Sequence, residues 1–312
     1  MNLFSDPRFL KILAEVYFPG RPYAIREARL GERSFRLLQV EGRRLITHWP
    51  FVDFFEPLAR GEEAHPIGAS YMPKACQGRV TCDEWHAQKL GERFQASPLV
   101  DWSGFPSYES FEALVKTRRS NVFADGRRRR RRIEEQFGRL ELDFEDPRSG
   151  SFESCLRWKS AQYLASGAPD YFAVPGHAAL FRRLAQEGLL KVASLSANGR
   201  LLAAHFGVLE DGRFYYWIPA YDPECAAFSP GRLLLDFMLK ESWRRGREFD
   251  FLIGDEAYKW YYATHVRLIG PLGRAPLLLR ARRGVGRAAR RVLSVSPPVY
   301  QLALRLRRRL GG

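Results

Sequence analysis

Between residues 189 and 221 the chain carries three short runs rich in apolar and aromatic residues, 189–196, 200–209 and 213–221, strand-like segments bounded by turn signals. Asn198-Gly199 and Asp211-Gly212 separate the runs, and both dipeptides tolerate the positive φ that tight hairpins need. The pattern predicts an antiparallel meander. Upstream the apolar spacing changes to three and four residues. Phe152, Leu156, Ala161 and Leu164 predict a helix over 152–165; Ala179, Leu180 and Leu184 predict a second over 175–187, opened by Pro175 and stopped by Gly188. Downstream, Leu233, Leu234, Phe237, Met238 and Trp243 give the apolar face of a helix that Ser229 would cap, with Pro230 at its first position and an end near Gly246. A strand over 248–253 that stops at Gly254, a short aromatic helix over 257–263 and a strand over 266–269 follow, with an edge at 277–279.

The N-terminal half is patterned less clearly. Residues 32–40 and 43–49 predict a hairpin around Glu41-Gly42. Residues 118–137 predict a basic helical segment, interrupted or begun near Asp125-Gly126, and 140–144 a short strand. Glu145-Asp146-Pro147-Arg148-Ser149-Gly150 has the composition of a linker. This places a divergent unit at 1–146, a second at 151–283 and a tail at 284–312. The element order of the second unit predicts an α/β (α+β) fold in which helices flank a mixed, mostly antiparallel sheet.

Composition narrows the function classes. A hydrophobic content of 46% supports packed cores. Cys76, Cys82, Cys155 and Cys225 form no C-x-x-C pair, so thiols are expected and no metal. Residues 1–7 lack a basic n-region followed by an apolar run, and no stretch approaches the ~20 apolar residues of a spanning helix. The expected location is cytoplasmic, or peripheral to the inner membrane. The net charge is +15, and its distribution is uneven. After Glu256 there is no Asp or Glu, while Lys259, Arg267, Arg274 and ten arginines from Arg280 to Arg309 follow. Residues 299–310 place Val299, Leu302, Leu306 and Leu310 opposite arginines, a face suited to an anionic membrane surface; a disordered solubilising tail is the plain alternative. The run Arg127 to Arg132 reads as a solvated helix face, with nucleic acid a weaker partner than lipid.

Two segments carry chemistry. Ser229-Pro230-Gly231-Arg232-Leu233 opens a helix, and first-turn N–H groups with the helix dipole favour phosphate. Against an Arg/Gln-x-x-Gly-x-Gly/Ala signature only Gly231 matches, and Pro230 removes a donor; a capped helix with no ligand explains the residues too. Second, Phe249-Asp250-Phe251-Leu252-Ile253 ends at Gly254, so Asp255 and Glu256 stand at the carboxyl end of a strand, with Tyr258 and Lys259 opening the next helix. Two carboxylates, a phenol and an amine can serve as base, acid and anion contact. Alternatively Asp255 caps the helix and Lys259 is solvated. His205, His177 and His265 are further candidate bases, and Tyr215, Tyr216 and Trp217 could line a pocket or simply fill the core.

Tyr221-Asp222-Pro223, Ser229-Pro230-Gly231, Phe249-Asp250-Phe251 and Gly254-Asp255-Glu256-x-Tyr258-Lys259, in that order, resemble the GNAT-like domain of CelD-type proteins, a family placed around cellulose and exopolysaccharide biosynthesis and distantly similar to the FemAB aminoacyltransferases. The resemblance covers about 151–283. It implies tandem GNAT-like units, with 1–146 as the divergent first, and acyl transfer from acetyl-CoA or another acyl-CoA to an amine or hydroxyl acceptor, small or glycan- or lipid-linked. Asp255 or Glu256 would then be the base, Tyr258 the acid to the leaving thiolate and Lys259 an anion contact, with Ser229, Gly231, Arg232 and Leu233 holding the coenzyme. Aminoacyl-tRNA-dependent transfer and a non-catalytic membrane- or nucleic-acid-binding scaffold are the competing readings.

Overall fold

The computed structural model describes residues 3–58, 66–210, 212–254 and 256–277. The chain opens with helix α1 (Pro7–Tyr17), capped by the Asp6 carboxylate, which accepts the Arg8 N–H at 2.6 Å. Strands β1 (Tyr23–Leu30), β2 (Arg33–Val40), β3 (Arg44–Ile46) and β4 (Ile67–Gly68) form a small sheet in the order β3-β2-β1-β4. The expected hairpin around Glu41-Gly42 is present, both residues with positive φ, 54° and 66°. Strand β5 (Tyr71–Thr81), helix α2 (Cys82–Ala87) and strand β6 (Gln95–Val100) come next, then helices α3 (Tyr108–Arg118) and α4 (Val122–Phe137) and strand β7 (Leu140–Asp143). The helices predicted over 152–165 and 175–187 are α5 (Ser149–Ala165) and α6 (Pro175–Gln186), and the meander is β8 (Lys191–Ala197), β9 (Arg200–Glu210) and β10 (Arg213–Tyr221). Helix α7 (Pro230–Arg244), strand β11 (Glu248–Asp250), helix α8 (Ala257–Tyr262) and strand β12 (His265–Gly273) close the described chain.

Eight strands make the large sheet, in the order β5-β12-β6-β11-β10-β9-β8-β7, antiparallel throughout except where β10 meets β11. The fold is thus the expected mixed, mostly antiparallel sheet flanked by helices. Strands from before and after 146–151 share this sheet, and β7 pairs directly with β8. Alternate side chains of β10 sort between its faces: Tyr215 and Ile218 pack with α1, α5, α6 and the small sheet, whereas Phe214 and Tyr216 pack with α3, α4 and α7.

Three local expectations need correction. The basic segment breaks at 119–121, not at Asp125-Gly126, and α4 runs through the glycine. Gly126 is buried against α7, where a Cβ would come within 3.1 Å of the Asp236 carboxylate, so its smallness serves packing. Strand β11 ends at Asp250 rather than at 253, because the next residues leave the ladder in a turn described below. Leu277 is 79% exposed and gives no edge; 278–279 and the basic tail lie outside the described residues. Among the described residues no helix is long and apolar enough to cross a membrane, and the four cysteines are free thiols, three of them buried.

Candidate functional site

The site begins where two strands part. β10 and β11 pair in parallel only over Arg213–Tyr215 with Glu248–Asp250. Beyond that point β10 continues to Tyr221, while 251–254 turn away, and a pocket of about 640 Å³ opens between them. Its floor is formed by residues 216–221 and 251–253. The start of α7 supplies Ser229, Gly231 and Arg232, α5 supplies Lys159, Gln162 and Tyr163, and the segment around α8 supplies Glu256, Tyr258 and Lys259. Phe51 and Asp53, from the segment after β3, complete the wall.

The 251–254 turn is held by side chains. Asp250 Oδ1 accepts the Leu252 N–H at 2.8 Å, fixing Leu252 at φ 58°, a left-handed conformation uncommon for a branched residue. Asp53 Oδ2 accepts the Ile253 N–H at 3.1 Å. The Ile253 carbonyl in turn accepts from Lys259 Nζ at 3.2 Å. Lys259 is nearly sealed from solvent, at 4% exposure, yet its ammonium also meets Glu256 Oε2 at 2.9 Å. Gly254 makes that approach possible, since a Cβ there would overlap both the Glu256 carboxylate and the Lys259 ammonium.

Of the residues expected to act, Ser229, Gly231, Arg232, Glu256, Tyr258 and Lys259 gather in this pocket. Asp255 lies outside the described residues. Leu233 does not reach the pocket; it packs in the core shared by α3, α4 and α7, because one position further along a helix turns a side chain by about a quarter-turn. Ser229 does not cap α7 with its hydroxyl. The preceding tight turn (Pro223–Phe228) delivers it in a left-handed conformation (φ 51°, ψ 51°), and side-chain capping needs extended backbone. Arg232 lies over the Tyr262 ring at 4.8 Å and within 3.8 Å of Asp236, whose carboxyl burial pushes up to about 6. Burial raises the Tyr258 phenol and lowers the Lys159 ammonium.

None of the three histidines lines the pocket. His205 is fully buried and stacked on Tyr216 at 4.4 Å; its Nε2 accepts the Trp217 N–H at 2.9 Å, where β10 bulges between Tyr215 and Ile218. Burial holds its pKa well below the ordinary value, so the ring is neutral. His177 Nδ1 meets the Tyr171 carbonyl at 2.7 Å, and His265 Nδ1 meets Thr264 Oγ1 at 3.0 Å. Tyr216 and Trp217 do line the pocket, and Tyr215 is core.

Residues 120–260 match the model of an acetyltransferase (GNAT) domain. The matched stretch starts near α4, upstream of the 146–151 segment, and carries most of the pocket. Among solved structures, FemX is similar at 10% identity with a TM-score of 0.54, over 86% of this chain and 91% of that one, which shows a shared fold. A conserved protein of unknown function from Bacteroides thetaiotaomicron VPI-5482 is similar at 15% identity, over 86% and 90% of the two chains, with a TM-score of 0.45. L-PGS from Bacillus licheniformis is similar at 12% identity, over 92% and 98%, with a TM-score of 0.46. None of the curated proteins matches the sequence.

Residues that sequence reasoning missed are Asp53, Lys159, Gln162 and Tyr163. Lys159 falls on the predicted helix over 152–165, on the same face as Phe152 and Leu156, and a lysine on an apolar face was the available signal. Asp53 had none, since an aspartate in a loop is commonplace. Dense surroundings push the Asp53 carboxyl up to about 6, partly offset by Lys74, the Ile253 N–H and Lys259, with Asp250 adding to the rise. A carboxyl raised on folding binds its proton more tightly in the native state, so stability is lost as the pH rises from the ordinary carboxylate range through about 6, and the cost is fully present above it. Asp53→Asn keeps an acceptor for Ile253 and loses that cost. Urea unfolding is expected to show the variant more stable at pH 7.5, by on the order of 2 kcal/mol. The gain shrinks as the pH falls through 6 and vanishes near the ordinary carboxylate range. A gain unchanged at pH 4 would exclude titration of Asp53 as its source.

Proposed function

We propose that this GNAT-type domain is an acyltransferase that moves an acyl group from an acyl-CoA, acetyl-CoA first among them, to an amine or hydroxyl acceptor. The observation that carries the reading is the opening between β10 and β11, onto which the first turn of α7 and the cations Arg232, Lys159 and Lys259 converge. A helix start with arginine and lysine neighbours suits a pyrophosphate. A cleft between parted strands leaves unpaired backbone groups to hold a thioester carbonyl. In this reading Ser229, Gly231 and Arg232 hold the coenzyme, Tyr258 protonates the leaving thiolate, and Lys259, fixed by Glu256, holds an anionic group of donor or acceptor.

Titration with acetyl-CoA tests the donor. At 100 times its Kd, a ligand selective for the native state adds about 2.7 kcal/mol of stability, which a melting scan reads as a rise of several degrees. Arg232→Met should abolish that rise. An unchanged melting temperature across acetyl, malonyl and long-chain thioesters would sink the reading.

A second reading, with an aminoacyl-tRNA as donor, draws support from the fold shared with FemX and from the outward-facing arginines of α4. It predicts RNA retention that falls steeply with salt and no response to acetyl-CoA. The resemblance to CelD-type proteins favours a glycan- or lipid-linked acceptor, and the basic tail a peripheral place on an anionic membrane.

A further inference from the structure

We propose that Asp53 accepts the proton of the attacking group, so that the N-terminal segment completes the active site of the GNAT-type domain. The inference rests on the acyl-transfer reading above and adds to it a residue from outside 120–260.

The described carboxylates that line the pocket are Glu256 and Asp53. Glu256 is committed to Lys259 at 2.9 Å, and its side chain is 55% exposed, so solvent and an ammonium both compete for it. Asp53 is different. One oxygen holds the Ile253 N–H at 3.1 Å, which fixes the side chain against the turn, and the carboxylate makes no other hydrogen bond among the described residues. The second oxygen is left for a substrate. Nearby Asp250 has no such freedom, being fully buried and bound by Arg267, the Leu252 N–H and Ser97. Asp53 also sits beside residues 251–253, on the floor where β10 and β11 part, whereas the anion-binding groups of α7 occupy another wall. An acceptor entering beside Phe51 would meet Asp53 on its way to an acyl group in the cleft. The charged groups that act on Asp53 are Lys74 of β5, Lys259 of α8 and Asp250 of β11. With the carboxyl near 6, it is ionised at neutral pH yet basic enough to take a proton, as a general base should be.

In the step, the acceptor's nitrogen or oxygen bonds to the acyl carbon of the thioester while its proton passes to the free Asp53 oxygen. The carbonyl electron pair moves to oxygen and returns as the carbon–sulfur bond breaks. Sulfur leaves with its electron pair and takes the Tyr258 proton; Asp53 then gives its proton to solvent, Tyr258 regains one from solvent, and both groups are restored.

Two measurements test this. First, acetyl-CoA turnover with n-butanol as the probe acceptor, whose hydroxyl does not titrate over the range, is followed from pH 5 to 9 in the full chain. Asp53→Asn is expected to bind acetyl-CoA within twofold of wild type and to lose about 100- to 10,000-fold in kcat. The wild type's fall in kcat/KM below pH 6 should persist in Glu256→Gln, and in Asp53→Glu at reduced rate. A rate within threefold of wild type for Asp53→Asn, or an acid limb that survives in it, overturns the proposal. The second measurement needs neither donor nor acceptor. Dicyclohexylcarbodiimide, which modifies protonated carboxyls in apolar pockets, is expected to label Asp53, decreasingly as the pH rises through 6. Labelled Asp53 in a chain that ignores acetyl-CoA would sink the donor and uphold the open proton-accepting carboxyl. Absence of label at Asp53 overturns the proposal whatever the donor.

Discussion

Replacing Arg267 by methionine is expected to lower the free energy of unfolding by about 3–5 kcal/mol, the largest effect on stability of any single change considered. Arg267 lies on β12 with a side chain 3% exposed, and its guanidinium meets Asp250, Glu248 and, through Nε at 3.0 Å, Glu56. Glu248 is shared further, with Arg213 at 2.7 Å and Arg79 at 2.6 Å. Methionine matches much of the volume and none of the charge. Asp250, with no exposed surface, would be left with the Leu252 N–H and Ser97 as its bonded partners, and an unpaired buried carboxylate is costly. Urea unfolding at pH 7.5 reads the loss. The double variant Arg267→Met/Asp250→Asn should recover a sizeable part of it, because the stranded charge is gone. Equal losses for the single and double variants would show that packing, rather than charge, holds this cluster.

The network also has a functional consequence. Asp250 turns Leu252 out of the ladder, and the separation of β10 from β11 starts there. Stability and site geometry therefore meet in one carboxylate.

Gly254→Ala is expected to damage function far more than folding. Its Cβ would occupy the space where Glu256 and Lys259 meet, so the pair must separate and the Lys259 hydrogen bond to Ile253 is displaced. A shift of about 1 Å in a positioning group can cost about 100-fold in rate, and that loss is expected in acetyl-CoA turnover. The strain should cost about 1–3 kcal/mol in stability, small beside the catalytic effect. Full turnover in Gly254→Ala would exclude the Lys259–Glu256 pair from the site.

Much of the fold is legible locally. The apolar runs on either side of Asn198-Gly199, whose φ values are 47° and 76°, specify the β8–β9 hairpin within a dozen residues. The same holds for α5, α6 and α7, whose apolar spacing, joined in α6 and α7 by a proline start, needs no distant partner. The Gly254-to-Lys259 run and the start of α7 stood out because close spacing of carboxylate, phenol, amine and glycine is visible in one dimension. Leu233 and the Ser229 cap were misplaced for the opposite reason. Each depends on how the tight turn over 223–228 delivers the chain into α7, a matter of backbone conformation that residue type does not report.

Tertiary structure decided the rest. Strands β5 and β6 escaped notice because Pro73, Lys74 and Gly78 interrupt alternation in one, while the other is a six-residue run containing Pro98. Both are strands because β12, about 190 residues beyond β5 along the chain, inserts between them. Hydrophobic periodicity reports which face of an element is buried and nothing about its distant partners. The candidate segment over 254–259 was therefore determined by the sequence itself, through local spacing. That Asp53 and Lys159 face that segment across a shared pocket was decided only by long-range pairing, which turned the 251–254 loop toward an N-terminal segment some 200 residues earlier.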